Sequence, residues 1–211
     1  MGLWRGEPVC YAYGMSAALD LPDAMSLEEF LVWDAPDGRL WQLIDGEPTA
    51  MAPAAPVHGA IQSEAGRLIG NHLAARGGPC WIASNPGVLL GKRADRNFRI
   101  PDLGVTCSPL VRGDPALPDP ILLIEVLSPG NPAETWLNVW AYTTIPSMRE
   151  ILVIRTDAPG ACLLRRNPDG TWPEAAPPME TGEMVLNSIE FRFALDEVYA
   201  GTWLAAPEVG T

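Results

Sequence analysis

Short runs of apolar and β-branched residues recur along this chain, separated by turns rich in glycine and proline. Such runs are typical of buried strands. They predict strands over residues 40–51 (two strands), 80–91, 99–106, 120–127, 150–155, 161–166 and 188–195. Within the first range, Asp45-Gly46 suits the tight turn of a hairpin. The runs over 80–91, 99–106 and 120–127 are expected to form the middle of one sheet.

A different periodicity predicts three helices. Between Pro56 and Gly77, apolar residues at positions 61, 65, 68, 69 and 73 recur at the spacing of one helix face. The sequence Ser26-Leu-Glu-Glu29 is a capping box, which predicts a short helix ending near Trp33. Residues 133–144 also have helical character, and Pro146 ends that segment.

Composition indicates one globular domain. The chain has 211 residues, of which 47% are hydrophobic, enough for a sizeable core. We expect the domain over residues 26–205 and a loose tail over residues 1–25. No run of eighteen apolar residues and no signal-peptide pattern occurs, so we expect a cytoplasmic protein without membrane contact. The four cysteines show no zinc-ligand spacing and are expected to be free thiols.

Two strand-like runs each carry one carboxylate, which a buried strand disfavours. Asp102 lies in Arg99-Ile-Pro-Asp102, and Glu125 lies in Ile121-Leu-Leu-Ile-Glu125. Each acid alone has an ordinary explanation, since Asp102 could cap a turn and Glu125 could pair with an arginine. Two such acids on successive strands together point to a metal site, because a divalent cation with oxygen ligands offsets the cost of burying carboxylates.

The charge distribution gives one argument against nucleic-acid binding and one for it. A net charge of −12 argues against tight binding of nucleic acid by broad electrostatics. However, residues 92–99 place four bases and one acid just before Asp102. This basic strip could contact phosphates, or it could be the solvated tip of a hairpin. It includes Lys92, the chain's only lysine, which could reach Asp102 or simply lie in solvent.

Three motifs, taken in order, resemble one family. They are Ile100-Pro-Asp102, Ile124-Glu-Val-Leu-Ser-Pro129 and Tyr142-Thr-Thr-Ile-Pro-Ser-Met-Arg-Glu150, preceded by Leu43-Ile-Asp-Gly-Glu47 and a histidine at the start of the next helix. This set resembles the Uma-type restriction endonucleases, a bacterial branch of the PD-(D/E)XK nuclease superfamily. The resemblance covers residues 26 to 200. It implies an α/β (α+β) fold of restriction-endonuclease type, with a mixed central β-sheet flanked by helices.

The resemblance also implies a site. Asp102 and Glu125 match the family's metal-binding acids, and Glu47 and His58 match its accessory acid and histidine. From the pattern alone, His58 is a surface or capping histidine in the first turn of its helix. In such nucleases the acids hold Mg²⁺ or Mn²⁺, which lowers the pKa of a bound water and shields the phosphate.

The chain lacks the lysine of the family pattern. The superfamily usually places a lysine two residues after the glutamate, and this family more often carries it on the following helix, four residues before the tyrosine. Here those positions are Leu127 and Asn138, with Glu134 four residues before Asn138. An asparagine can donate a hydrogen bond to a water or a phosphate oxygen but brings no charge. Loss of the lysine is expected to slow catalysis by orders of magnitude.

The sequence thus supports two functions. The first is metal-dependent hydrolysis of DNA phosphodiester bonds. The second is a weakened nuclease fold that serves as a binding or dimerisation module. Trp136 and Trp140 lie at helical spacing, where they could pack against the sheet, stack on bases or contact a second copy in a homodimer. Motifs of other hydrolases, such as Gly-x-Ser-x-Gly and His-Glu-x-x-His, are absent.

Overall fold

The computed structural model describes residues 24–35, 38–128, 130 and 132–205. Its helices are α1 (Leu27–Val32), α2 (Pro56–Arg76) and α3 (Pro132–Tyr142). Its strands are β1 (Trp41–Ile44), β2 (Glu47–Ala50), β3 (Trp81–Ser84), β4 (Val88–Leu89), β5 (Phe98–Arg99), β6 (Leu103–Thr106), β7 (Pro120–Leu127), β8 (Glu150–Arg155), β9 (Ala161–Arg165), β10 (Pro178–Met179), β11 (Glu183–Leu186) and β12 (Phe191–Ala194). The predicted tail over residues 1–25 lies almost entirely outside the described residues.

A six-stranded sheet in the order β10-β9-β8-β7-β6-β3 forms the centre. Strands β7 and β8 are parallel, and the other neighbours are antiparallel, so the predicted mixed sheet is confirmed. A parallel pair needs a crossover connection. Helix α3 lies within that crossover, between β7 and β8.

The alternation of side chains along β7 and β8 explains why the sheet is covered on both faces. Leu122, Ile124 and Val126 pack with α2 in one buried cluster. Leu123 on the same strand packs with Val139 and Tyr142 of α3 in another cluster. Because successive side chains of a strand point to opposite faces, α2 and α3 cover opposite faces of the sheet.

The three helices and the hairpin form where the sequence predicted them. The capping box of α1 is present, with the Ser26 hydroxyl accepting from the Glu29 amide and the Glu29 carboxylate accepting from the Ser26 amide. Asp45 and Gly46 take positive φ angles in the turn between β1 and β2. In α2 the predicted apolar face is buried except for Leu68, which is partly buried.

The prediction that residues 80–91 and 99–106 form continuous strands in the middle of one sheet is wrong. The first range divides near Asn85, whose φ is 48°, and the second divides at Pro101. Strands β4 and β5 belong to a second sheet, in the order β2-β1-β5-β4, while β3 is an edge strand of the central sheet. The predicted strand over 188–195 is likewise shorter, because Asn187–Ile189 forms a 3-10 turn before β12.

The prediction that all cysteines are free thiols is also wrong. Cys80 and Cys107 form a disulfide. Trp81 faces Thr106 in the antiparallel register, so Cys80 and Cys107 lie opposite each other one step further along the two strands. Within the part of the chain that the structure describes, no helix is long and apolar enough to span a bilayer.

Candidate active site

The register of two neighbouring strands brings the two predicted acids together. Leu103 of β6 faces Ile124 of β7, so Asp102 and Glu125 lie opposite each other one step further along the strands. Both are buried, with Asp102 6% exposed and Glu125 7% exposed. The site therefore follows from the antiparallel pairing of the two runs that the sequence singled out.

Asp102 is held by contacts from two directions. Its Oδ2 accepts a hydrogen bond of 2.7 Å from the backbone amide of Val126. The same oxygen lies 3.3 Å from Nε2 of His58, on α2. The backbone contact crosses to the neighbouring strand, so Asp102 does not act as a local turn cap.

Glu125 is held by a residue from α3. The Tyr142 hydroxyl donates a hydrogen bond of 2.6 Å to its Oε1. Burial raises the pKa of the Glu125 carboxyl well above its ordinary value, and the negative charge of Asp102 raises it further. Burial and the charge of Glu125 also raise the pKa of the Tyr142 hydroxyl, so the tyrosine stays a hydrogen-bond donor.

The acid pair has no arginine or lysine partner among the described residues; His58 is the single ion-pair partner seen for Asp102, and Glu125 has none. The expectation that Glu125 pairs with an arginine is therefore not met in the described part of the chain. Two adjacent buried carboxylates without a cation are unfavourable unless a proton or a metal ion is shared.

A cavity of about 1000 Å³ opens onto these acids. Its lining includes acidic and polar residues, namely Asp102, Glu125, Glu134, Thr135 and Asn138. It also includes apolar residues, namely the loop of residues 51–55, Val57 and Trp203. The cavity thus offers a ligand both carboxylate oxygens and apolar surface.

The other predicted residues divide between this cavity and the surface. His58 is buried rather than on the surface, and its Nδ1 has no hydrogen-bond partner among the described residues. Asn138 is buried on α3 and lines the cavity. Glu134, one turn earlier on α3, is half-buried and lines it too. Trp136 and Trp140 are half-buried and pack against the core cluster on the α3 side.

Glu47 is not brought to the cavity. It is exposed and faces Ile44 at the turn end of the β1–β2 hairpin. The cavity is lined by Leu40 and Met51 at the opposite, open end. Four residues of extended chain separate Glu47 from Met51, about 13 Å. The sequence-based set of three acids therefore reduces to the pair Asp102 and Glu125.

The basic strip does not line the cavity either. Arg93 pairs with Asp45 at 3.0 Å, and Lys92 is exposed. Arg99 is buried. Its Nη1 donates a hydrogen bond of 2.6 Å to the Leu43 carbonyl, and its Nε has no hydrogen-bond partner among the described residues. Burial lowers the pKa of Arg99, whose positive charge in turn opposes the raised pKa of Tyr142.

The contacts of two glutamines at the site, the partly buried Gln62 and the buried Gln42, were not predicted. Gln62 Nε2 donates a hydrogen bond of 2.8 Å to the Asp102 carbonyl and one of 3.1 Å to Asn85 Oδ1. Gln42 Oε1 accepts 3.1 Å from the Ile100 amide. Gln62 lies four residues after His58, so helical spacing alone could have placed it on the same face. Gln42 is one polar position in a short strand, and nothing in the sequence marks it.

The donor set fits a hard divalent cation. Carboxylate oxygens are the ligands that Mg²⁺ prefers, and Mg²⁺ is commonly held by one or two carboxylates, with waters and substrate phosphates completing its shell. Among the described residues no group of three His, Cys, Asp or Glu side chains could hold a metal ion. The pair Asp102 and Glu125 thus has the number of carboxylates with which Mg²⁺ is commonly held, and it does not form a closed protein cage.

Comparison with known proteins agrees with this fold. A crystal structure from Anabaena variabilis, described as that of a putative nuclease, matches with a TM-score of 0.67 at 16% identity, covering 83% of this chain and 98% of that one. No curated protein matches the chain. The family model Uma2, described as "Putative restriction endonuclease", matches residues 27–196. The chain therefore belongs to the Uma2 family of restriction-endonuclease-like proteins.

Proposed function

We propose that the chain is a divalent-metal-dependent nuclease that hydrolyses phosphodiester bonds of DNA at this cavity. The observation that carries the proposal is the pair of adjacent buried carboxylates, Asp102 and Glu125, which line an open cavity and form no ion pair with an arginine or lysine of the described residues. A fold gains no stability from such a pair, whereas a bound Mg²⁺ or Mn²⁺ makes it favourable. Nuclease chemistry is also what the family description names.

Asp102 and Glu125 would hold the cation. When bound, the ion supplies a Lewis acid that polarises the phosphate and lowers the pKa of the attacking water. His58 fixes the orientation of the Asp102 carboxylate, and Tyr142 fixes that of Glu125. Asn138 lies where its amide can donate a hydrogen bond to a phosphate oxygen or a water.

The missing lysine predicts a slow enzyme. The Asn138 amide can orient a group, but it neither takes up a proton nor neutralises developing charge. This departure favours the second candidate, in which the fold binds DNA or a second copy without efficient hydrolysis. In that case the homodimer contact would involve the exposed Leu137 of α3, since Trp136 and Trp140 pack inward.

The test is calorimetry with Mg²⁺ and Mn²⁺ on the wild type and on the double variant Asp102→Ala with Glu125→Ala, followed by plasmid nicking under the same ions. We expect metal binding and nicking in the wild type and neither in the double variant. Equal behaviour of the two proteins would refute the nuclease proposal. Light scattering on the same samples then measures the oligomeric state that the second candidate requires.

Glu47→Ala is the matched control, because it removes an acid that the sequence pattern placed in the site and the fold places elsewhere. Its metal binding is expected to equal that of the wild type. Loss of binding in Glu47→Ala would instead show that the hairpin moves to supply a third ligand.

A further inference from the structure

An exposed tryptophan lies at the site cavity. Trp203 is 75% exposed and lines the same cavity as Asp102 and Glu125. It is the only aromatic side chain among the exposed large hydrophobic residues of the described ranges. Single exposed apolar residues are ordinary on protein surfaces. Trp203 is not isolated, however, because the half-exposed Leu40 and the apolar loop 51–55 line the same cavity.

The turn that carries Trp203 is well fixed. The Thr202 hydroxyl donates a hydrogen bond of 2.7 Å to the Tyr199 carbonyl and accepts one of 3.1 Å from the Leu204 amide. Tyr199 is fully buried, and its hydroxyl accepts a hydrogen bond of 2.9 Å from the Gly160 amide. An indole presented from a fixed backbone loses little conformational entropy when it contacts a ligand.

The two kinds of residue that line the cavity suit the two parts of a nucleotide. The carboxylates, with a cation bound, accept a phosphate. Trp203 and the apolar residues of the lining offer a surface for a planar, weakly polar ring. Aromatic side chains stack on every nucleobase, because each base has a π face. A base inside a duplex already has both faces covered by its neighbours and cannot make this contact without leaving the stack.

The charge of the chain supports the same conclusion. With a net charge of −12, the protein lacks the broad positive field that holds duplex DNA through its phosphates. Arg39 is the one arginine or lysine among the described residues that line the cavity. Affinity for a nucleic acid must therefore come largely from the bound cation and from contacts with a base.

We propose that Trp203 stacks on an unpaired nucleobase beside the phosphate held at Asp102 and Glu125. The substrate class is then single-stranded or locally unpaired nucleic acid, and intact duplex is a poor ligand. The inference rests on the proposed nuclease function and names its substrate class.

The test measures binding of a fluorescein-labelled single-stranded 12-mer, its duplex, and the same strand with abasic positions. Anisotropy is recorded in Ca²⁺ buffer for the wild type, Trp203→Ala and Trp203→Phe. Trp203→Ala is expected to weaken single-strand binding by about 5- to 150-fold, the range for one base–aromatic stack. Trp203→Phe is expected to retain most of the affinity. Leu110→Ala, which changes another strongly exposed apolar residue outside the cavity, is the matched control and should have no effect.

The abasic strand isolates the stacking contact. It is expected to bind the wild type as weakly as the intact strand binds Trp203→Ala, and the substitution should not weaken it further. The proposal is overturned if Trp203→Ala binds the single strand like the wild type, if duplex binds as tightly as single strand, or if the wild type binds no strand. Metal calorimetry on the same proteins reports separately on the nuclease proposal, since Trp203→Ala keeps both carboxylates.

Discussion

Replacing Glu125 with glutamine should stabilise the metal-free protein. The glutamine keeps an oxygen that accepts the hydrogen bond from Tyr142, and its amide group can donate to Asp102. Above the raised pKa of the Glu125 carboxyl, the substitution removes a buried negative charge that faces another one. Leaving a buried charge uncompensated costs about 1–3 kcal/mol or more, so we expect a gain of about that size. For a chain of this length, 1 kcal/mol corresponds to about 2–4 °C in Tm.

The pH dependence has a definite sign. Folding raises the pKa of Glu125 above its unfolded value. The wild type therefore has its full contribution from this group below the unfolded pKa and loses it as pH rises through the folded pKa. Glutamine does not titrate, so the advantage of Glu125→Gln over the wild type should grow over this interval and then level off.

A second buried glutamate provides the control. Glu150 is 1% exposed, but its carboxylate accepts hydrogen bonds from Arg165 and from the amides of Asn187 and Ser188. Glu150→Gln weakens charge-assisted bonds and should destabilise the protein by about 1–3 kcal/mol. Two isosteric substitutions of buried glutamates are thus expected to have opposite signs.

The assay is urea unfolding in EDTA at several pH values, repeated with Mg²⁺ or Mn²⁺. Metal ions should stabilise the wild type by binding only the folded state, and should have much less effect on Glu125→Gln. A Glu125→Gln protein that is less stable than the wild type in EDTA at alkaline pH would refute the reasoning, because the carboxylate would then have a stabilising partner in the folded state.

Three further predictions concern other positions. Asn138→Lys restores a positive charge on the cavity wall and should raise the plasmid-nicking rate by at least tenfold; an unchanged rate would show that this charge does not limit catalysis. Gly91→Ala places a methyl group against the Thr144 carbonyl and should lower the free energy of unfolding, measured in urea titrations, by about 1–3 kcal/mol. The control is Gly59→Ala in helix α2, where the added methyl group contacts no other atom and should raise the free energy of unfolding by up to about 1 kcal/mol. Reduction of the Cys80–Cys107 disulfide, which spans 27 positions, should lower that free energy by about 3–4 kcal/mol; identical unfolding with and without reductant would contradict it.

Local sequence patterns were enough to predict the helices and the hairpin, because each of these elements is specified by neighbouring residues. The apolar face of α2 and the capping box of α1 need no information from the rest of the chain. The pair Asp102 and Glu125 was within reach for a related reason. Two buried strands in succession are usually neighbours in a sheet, which places their carboxylates side by side.

The errors concern long-range partners. Whether β4 and β5 join β3 or β1 depends on the turn at Asn85 and on pairing with residues more than forty positions away. The Cys80–Cys107 pairing depends on the register of β3 and β6 and leaves no spacing signature. The position of Glu47 depends on which end of its hairpin faces the cavity, and the alternation of apolar residues does not decide this.

The two buried glutamates give the strongest physical reason to regard the acid pair as functional. The fold surrounds Glu150 with donors, as packing for stability requires. Glu125 is also buried by the same sheet, yet no arginine or lysine of the described residues pairs with it, and it faces a second carboxylate across the strand pair. A chain that satisfies one buried glutamate fully can satisfy another, and a buried leucine or glutamine at position 125 would give a more stable strand. Two adjacent buried carboxylates that open onto a cavity are the arrangement that the proposed cation site requires.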